Sequence, residues 1–279
     1  MKKIMLAAAA AMVAFSGMAG TKAIAHRGYW KTEGSAQNSI RALIKADSIG
    51  CYGSEFDVWL SKDGKLVVNH DRVFKGKNME ESTFEELTAV KLDNGENLPS
   101  LEEYLKVGAQ CKTKLILELK SLSSPERETR AVAQIVKMVE SMGLEKRMEY
   151  IAFSLHACKE FVRLAPEGTP VYYLNGELSP KELNDLKMAG LDYHLGVVKD
   201  KHPEWIGEAH DLGMKVNCWT VNNVADMVWL VENKVDFITT NEPEALLKLL
   251  RETYALGDQV AGEGLDALHR DVALCVIAG

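Results

Sequence analysis

The chain has 279 residues, of which 47% are hydrophobic and 26% charged, the make-up of a globular protein long enough to bury a sizeable core. Its formal net charge of −7 argues against a nucleic-acid backbone as partner, because such a partner is held by clustered cations. No repeat or low-complexity linker divides it, so a single domain is expected over residues 22–250.

Lys2 and Lys3 precede an apolar run from Ile4 to Phe15, and small residues follow at Ser16, Gly17, Ala19 and Gly20. This is the pattern of a secretory signal peptide over residues 1–20. The run is shorter than the roughly 20 apolar residues that span a bilayer, and no cysteine follows it to accept a lipid. An exported product, periplasmic in a Gram-negative host and without a stable membrane anchor, is expected. Five cysteines, at 51, 111, 158, 218 and 275, are odd in number and lack C-x-x-C spacing, so at least one is unpaired; Cys218, inside an apolar run, reads as a small buried side chain.

From residue 22 onward, short β-rich runs alternate with amphipathic segments, the rhythm of parallel strands joined by crossover helices. Strands are predicted at Ala23–His26, Ser54–Leu60, Lys114–Lys120, Glu149–Phe153, Val171–Leu174, Tyr193–Val198, Lys215–Thr220 and Asp236–Thr239. A further run, Leu66–Asn69, follows the second strand through Ser61-Lys62-Asp63-Gly64, a link too short for a parallel crossover and suited to a hairpin. It is therefore read as an antiparallel extension that brings His70 over the mouth of the sheet. Helix starts are marked by capping boxes at Ser100-x-x-Glu103 and Ser179-Pro180-x-Glu182 and by Ser124-Pro125. The last of these opens a helix carrying Val132, Ile135, Val136 and Val139 at helical spacing and stopping at Gly143. Eight parallel strands suit a closed (β/α)₈ barrel, and an open doubly wound sheet has much the same rhythm. Beyond Arg251 the pattern lapses, and residues 251–279 form a tail without an assigned role.

Glu55 and Asp57 are two apart on one strand, as are Glu118 and Lys120 on another, so each pair shares a face. Three carboxylates from two strands make an oxygen-rich site for a hard cation. Pairing with Arg27 and Lys120 in a structural charge network is the competing explanation. In a (β/α)₈ barrel, however, the C-terminal strand ends are where active sites form. His26-Arg27-Gly28 closes the first strand and His70-Asp71 the hairpin, so two imidazoles with near-neutral pKa can act there as base and acid. Arg27 offers a planar donor set for phosphate oxygens, and Gly28 permits a sharp turn or close backbone approach.

The segments Ile24-Ala25-His26-Arg27-Gly28, Glu55-Phe56-Asp57-Val58, Lys62-Asp63-Gly64 and Val67-Val68-Asn69-His70-Asp71 together resemble the opening signature of glycerophosphodiester phosphodiesterases. Leu98–Glu103, Leu117-Glu118-Leu119-Lys120, Cys218–Asn222 and Asp236–Pro243 extend the resemblance. It implies a (β/α)₈ TIM barrel with a β-hairpin extension after strand 2, and metal-dependent hydrolysis of a small-molecule phosphodiester to glycerol 3-phosphate and an alcohol. It also implies His26 and His70 as the acid–base pair, Glu55, Asp57 and Glu118 as holders of one divalent cation, Mg²⁺ or Ca²⁺, and Arg27, Lys120 and Trp219 as substrate-binding residues. Action on a lysophospholipid or phosphoinositol diester, or a non-catalytic anion-binding role, are the alternatives. Two departures stand out. Gln37-Asn38-Ser39 replaces the usual Glu-Asn-Thr, and Thr240-Asn241 replaces Thr-Asp; both leave the assigned residues in place, and the first, near the mouth, bears on the choice of substrate.

Overall fold

A computed structural model of the chain describes residues 20–255. Eight parallel strands close into a barrel: β1 (Lys22–Ala25), β2 (Gly53–Leu60), β6 (Lys114–Leu119), β7 (Met148–Ala152), β8 (Val171–Tyr173), β9 (Gly190–His194), β10 (Lys215–Trp219) and β11 (Phe237–Thr240). They pair in sequence order, and β1 contacts both β2 and β11, which removes both sheet edges. An open sheet is thereby excluded. The strand β3 (Leu66–Val68) runs antiparallel to β2, with Val58 opposite Val68, as the short Asp-Gly link requires.

The helices are set by local chemistry. In α3 (Leu101–Gly108) and α6 (Pro180–Asp185), Ser100 and Ser179 accept from the backbone three residues on, while Glu103 and Glu182 reach back, so two otherwise unpaired donors are satisfied at each end. Helix α4 (Pro125–Ser141) is capped by Ser124 and buries Val132, Ile135, Val136 and Val139 as one stripe toward the barrel. Gly143 follows it with φ +66°. The remaining helices are α1 (Ile40–Ser48), α2 (Phe84–Thr88), α5 (Leu155–Leu164), α7 (Trp205–Asp211) and α8 (Val224–Glu232); residues 243–255 are also helical.

Two apolar layers result from strand alternation. Outward residues such as Phe56, Leu117 and Val216 join the helices in the main core, whereas Ile24, Ile116, Ile151, Tyr172, Leu174 and Phe237 fill the barrel interior. The interior is thus packed with side chains, and Glu55, Glu118 and Lys120 stand at its C-terminal mouth. Between His70 and β6 the chain forms a small hairpin, β4 (Val73–Phe74) with β5 (Lys77–Asn78), followed by α2 and α3.

One predicted strand is displaced. The sixth parallel strand is Gly190–His194, not Tyr193–Val198, and the apolar Val197-Val198 pair lies in a π-helical segment, Gly196–Lys201. Asp192 interrupts the apolar pattern of the true strand, and its hydrogen-bond partner is supplied from β10, which local sequence cannot register. Gly190 is required there, because a Cβ would stand 1.9 Å from the Lys215 carbonyl oxygen. Cys51, Cys111, Cys158 and Cys218 are free and buried. Residues 1–19 of the expected signal peptide 1–20, and residues 256–279 of the tail with Cys275, lie outside the described residues. No helix of the described residues is long and apolar enough to cross a membrane.

Candidate active site

Pairing of β2 with β6 sets Asp57 beside Glu118, and strand alternation sets Glu55 on the same face. One oxygen from each of Glu55, Asp57 and Glu118 lies within 4.8 Å of the others. All three residues are buried, so each charge must be matched. Lys120 Nζ lies 2.7 Å from Glu118 and 3.3 Å from Asp57, and Arg27 Nε lies 3.9 Å from Asp57. The Asn38 amide grips Asp57 twice, donating to its carboxylate at 2.9 Å and accepting from its backbone N–H at 3.0 Å.

The carboxyls are not equivalent. Burial opposes ionisation at Asp57 but is outweighed by Lys120, His70, Asn38 and Arg27, which hold it below its ordinary range. Burial and the neighbouring Asp57 and Glu118 hold Glu55 well above that range, and burial with Asp57 pushes Glu118 up to about 7. Glu55 Oε1 is buried with no hydrogen-bond partner. Two cations do not satisfy three clustered carboxyls with an orphaned oxygen; a hard divalent cation suits that donor set.

The turn after β1 supplies three groups at once. Arg27 takes a left-handed conformation, φ +58°, and its backbone N–H donates to Glu55 Oε2 at 2.7 Å. Gly28 continues the turn at φ +76°, where a Cβ would lie 2.6 Å from Ala42 Cβ; both of the reasons anticipated for glycine therefore apply. The Arg27 guanidinium also donates to Gln37 Oε1 at 2.6 Å, a neutral acceptor that adds no second carboxylate beside the one it already faces in Asp57. Ser39 caps α1, so each member of the Gln37-Asn38-Ser39 triplet has a distinct task.

His26 Nε2 stands 4.0 Å from Glu55 Oε2, and its other nitrogen pairs with Asn241 Oδ1 at 2.8 Å. His70, after β3, pairs through Nδ1 with Asp71 at 2.8 Å, and its carbonyl accepts from Trp59 Nε1 at 3.2 Å. Burial and Arg27 lower His26 to about 4, and burial lowers His70 as well, which biases both rings to the neutral form. Trp219, at the end of β10, donates to the Asp192 carbonyl at 2.9 Å and meets the edges of Phe153 and His194. Both histidines, Arg27, Glu55, Glu118, Lys120 and Trp219 line one cavity of about 130 Å³.

Every site residue expected from sequence is therefore in this cluster. Three others were missed. Asn38 orients Asp57, Asn241 holds His26, and Asp192 lies on the cavity wall with Asn217 and Thr239. Asn241, one of the two departures from the family pattern, contacts the acid–base residue His26 directly. Its position in a motif departure was the available signal; Asp192 had only its place as a charge within an apolar stretch.

Residues 26–245 match the Glycerophosphoryl diester phosphodiesterase family. The crystal structure of a glycerophosphodiester phosphodiesterase from Parabacteroides distasonis shares 52% identity with a TM-score of 0.82, covering 85% of this chain and 99% of that one. A glycerophosphodiester phosphodiesterase from Caldanaerobacter subterraneus subsp. tengcongensis is 29% identical over 83% of this chain and 98% of its own length. The fold is shared as well with an Oleispira antarctica phosphodiesterase solved in complex with the product sn-glycerol-3-phosphate, at 24% identity and TM-score 0.67, over 82% and 96% of the two chains.

Proposed function

The chain belongs to the glycerophosphoryl diester phosphodiesterase family, and from that premise we propose how its own residues hydrolyse a glycerophosphodiester to glycerol 3-phosphate and an alcohol. The observation that carries the reading is the convergence of two imidazoles on a buried three-carboxylate cluster in one cavity.

In this reading Arg27 and Lys120 bind the phosphodiester oxygens, Arg27 through its planar fork and Lys120 as a point charge. His26 acts as general base. Its Nδ1 is committed to Asn241, which leaves the Nε2 lone pair facing the carboxylate cluster. His70 acts as general acid: burial favours its neutral ring, and the Asp71 carboxylate on its Nδ1 works against this by stabilising the imidazolium that gives up a proton to the departing alkoxide. Glu55, Asp57 and Glu118 would hold one divalent cation, Mg²⁺ or Ca²⁺, which when bound supplies neutralisation of the charge that builds on phosphate oxygen. Trp219 forms an apolar wall of the substrate cavity. The nucleophile is either water or a hydroxyl of the substrate's own glycerol. Export of the mature chain belongs to the same reading and rests on the Lys2-Lys3 start and the apolar run behind it.

The test is release of glycerol 3-phosphate from glycerophosphocholine and glycerophosphoethanolamine by the purified protein, with Mg²⁺ or Ca²⁺ and with chelator. Metal-dependent release is expected. Absence of release from either substrate by metal-loaded protein would reject the proposed chemistry.

A further inference from the structure

Apart from the metal-type carboxylates, the cavity holds a second set of buried polar groups that the mechanism does not use. Asp192 on β9, Asn217 on β10 and Thr239 on β11 lie on adjacent strands and are at most 5% exposed. Asn217 Nδ2 donates to Asp192 Oδ1 at 2.7 Å and lies 2.9 Å from Thr239 Oγ1. Leu191 and Tyr193, on either side of Asp192, pack outward in the main core, so Asp192 faces the barrel interior. The bond from Asn217 occupies Oδ1 and leaves the other carboxyl oxygen, Oδ2, for the cavity that Asp192 lines. A polar side chain this deeply buried, open to a cavity and half satisfied, is built to meet a ligand group.

The kind of group follows from what surrounds it. No cation pairs with Asp192 among the described residues, and its charged neighbours, Glu118 and Glu149, are acidic; burial, followed by their repulsion, pushes its carboxyl up to about 8. Asp192 therefore presents to the cavity a carboxyl without a cationic partner, able to accept a hydrogen bond from a ligand group. That is unsuited to phosphate, which Arg27 and Lys120 already attract, and suited to an alcohol. The cavity is about 130 Å³, and Trp219, whose indole donates to the Asp192 backbone, walls it. A space of that size admits a small polyol and leaves a bulky head group toward solvent.

We propose that Asp192, held by Asn217, is the residue that recognises a free hydroxyl of the substrate's glycerol moiety and so selects glycerol phosphodiesters over diesters without a hydroxyl. The inference rests on the phosphodiesterase reading for where the phosphate sits.

Calorimetric titration of the Mg²⁺-loaded protein with glycerol 3-phosphate and with methyl phosphate tests it without requiring turnover. The wild-type protein should prefer glycerol 3-phosphate by about tenfold or more, the scale of one good hydrogen bond in a buried site. Asp192→Leu should bring the two affinities within about twofold of each other while binding methyl phosphate as wild type does. Asp192→Asn, which keeps the shape and a hydrogen-bond acceptor, should retain most of the preference and guards against a folding defect in the leucine variant. An unchanged preference in Asp192→Leu, or none in wild type, overturns the proposal, as does an equal loss of both ligands in a variant that melts like wild type. Turnover of glycerophosphocholine in the same preparations is read separately: if wild type shows none, the phosphodiesterase reading fails, and the affinity ratio still decides the role of Asp192.

Discussion

His26 and Asn241 meet at one oxygen: His26 Nδ1 lies 2.8 Å from Asn241 Oδ1, and Trp30 Nε1 donates to that same atom at 3.1 Å. An indole nitrogen can only donate, so the Asn241 atom at this point must be its carbonyl oxygen. His26 Nδ1 therefore carries the proton, and Nε2 presents a lone pair to the cavity. The tautomer a general base needs is fixed by a side chain on the last barrel strand's C-terminal end.

Removing that acceptor should impair turnover more than binding. Asn241→Leu is expected to lower kcat by about 10- to 100-fold, the range for groups that orient an active-site residue, with KM within about threefold. Asn241→Asp retains an acceptor for both donors and should recover most of the rate. Steady-state kinetics on glycerophosphocholine distinguish these outcomes, and a leucine variant with wild-type kcat would remove Asn241 from the mechanism.

Replacement of either imidazole by alanine should cost on the order of 10² to 10⁴ in kcat, as expected for a general acid or base. Affinity for glycerol 3-phosphate should remain close to wild type in both, since Arg27 and Lys120 are intact. Full activity in His26→Ala and His70→Ala would show that neither ring transfers a proton.

Charge neutralisation at the carboxylate cluster should separate metal binding from folding. Glu55→Gln and Glu118→Gln are expected to weaken Mg²⁺ or Ca²⁺ binding in calorimetry by at least about tenfold. Because burial holds Glu55 well above and Glu118 at about 7, removing the charge relieves repulsion, and the metal-free variants should melt at or above the wild-type temperature. Unaltered metal affinity in both variants would place the cation elsewhere.

Glu80 anchors the segment that carries His70. It accepts from Arg72 at 2.9 Å, from Arg127 at 3.0 Å and from the Ser123 backbone and hydroxyl at 3.0 and 2.9 Å. Burial alone would raise its pKa, but the Ser123 and Arg127 interactions outweigh it and the carboxyl is held below its ordinary value. A depressed carboxylate contributes stability above the unfolded-state pKa of about 4.3 and loses it as pH falls through the folded value. Glu80→Gln should therefore lower the melting temperature near neutral pH, with the difference from wild type shrinking as the pH drops below about 4. A gap that persists unchanged into acid would point to lost packing instead of lost charge.

Much of this protein is written in short-range patterns. Period-two spacing placed Glu55 with Asp57 and Glu118 with Lys120, since successive strand residues face opposite ways whatever the fold. The serine caps and the turn glycine at Gly28 were legible for the same reason: the hydrogen bonds or dihedral angles they serve involve residues a few positions away. The tertiary structure decided what depended on strands meeting. Asp57 and Glu118 are neighbours because β2 pairs with β6, and His26 reaches Asn241 because β1 closes the barrel against β11. The sixth strand was misplaced toward the apolar Val197-Val198 pair because Asp192 looks out of place in a buried strand until Asn217 arrives from β10 to bind it. Local sequence determines which way a side chain points and how an element starts; which charges share a buried space, and so which of them are left to meet a metal or a substrate, is settled only when distant strands pack.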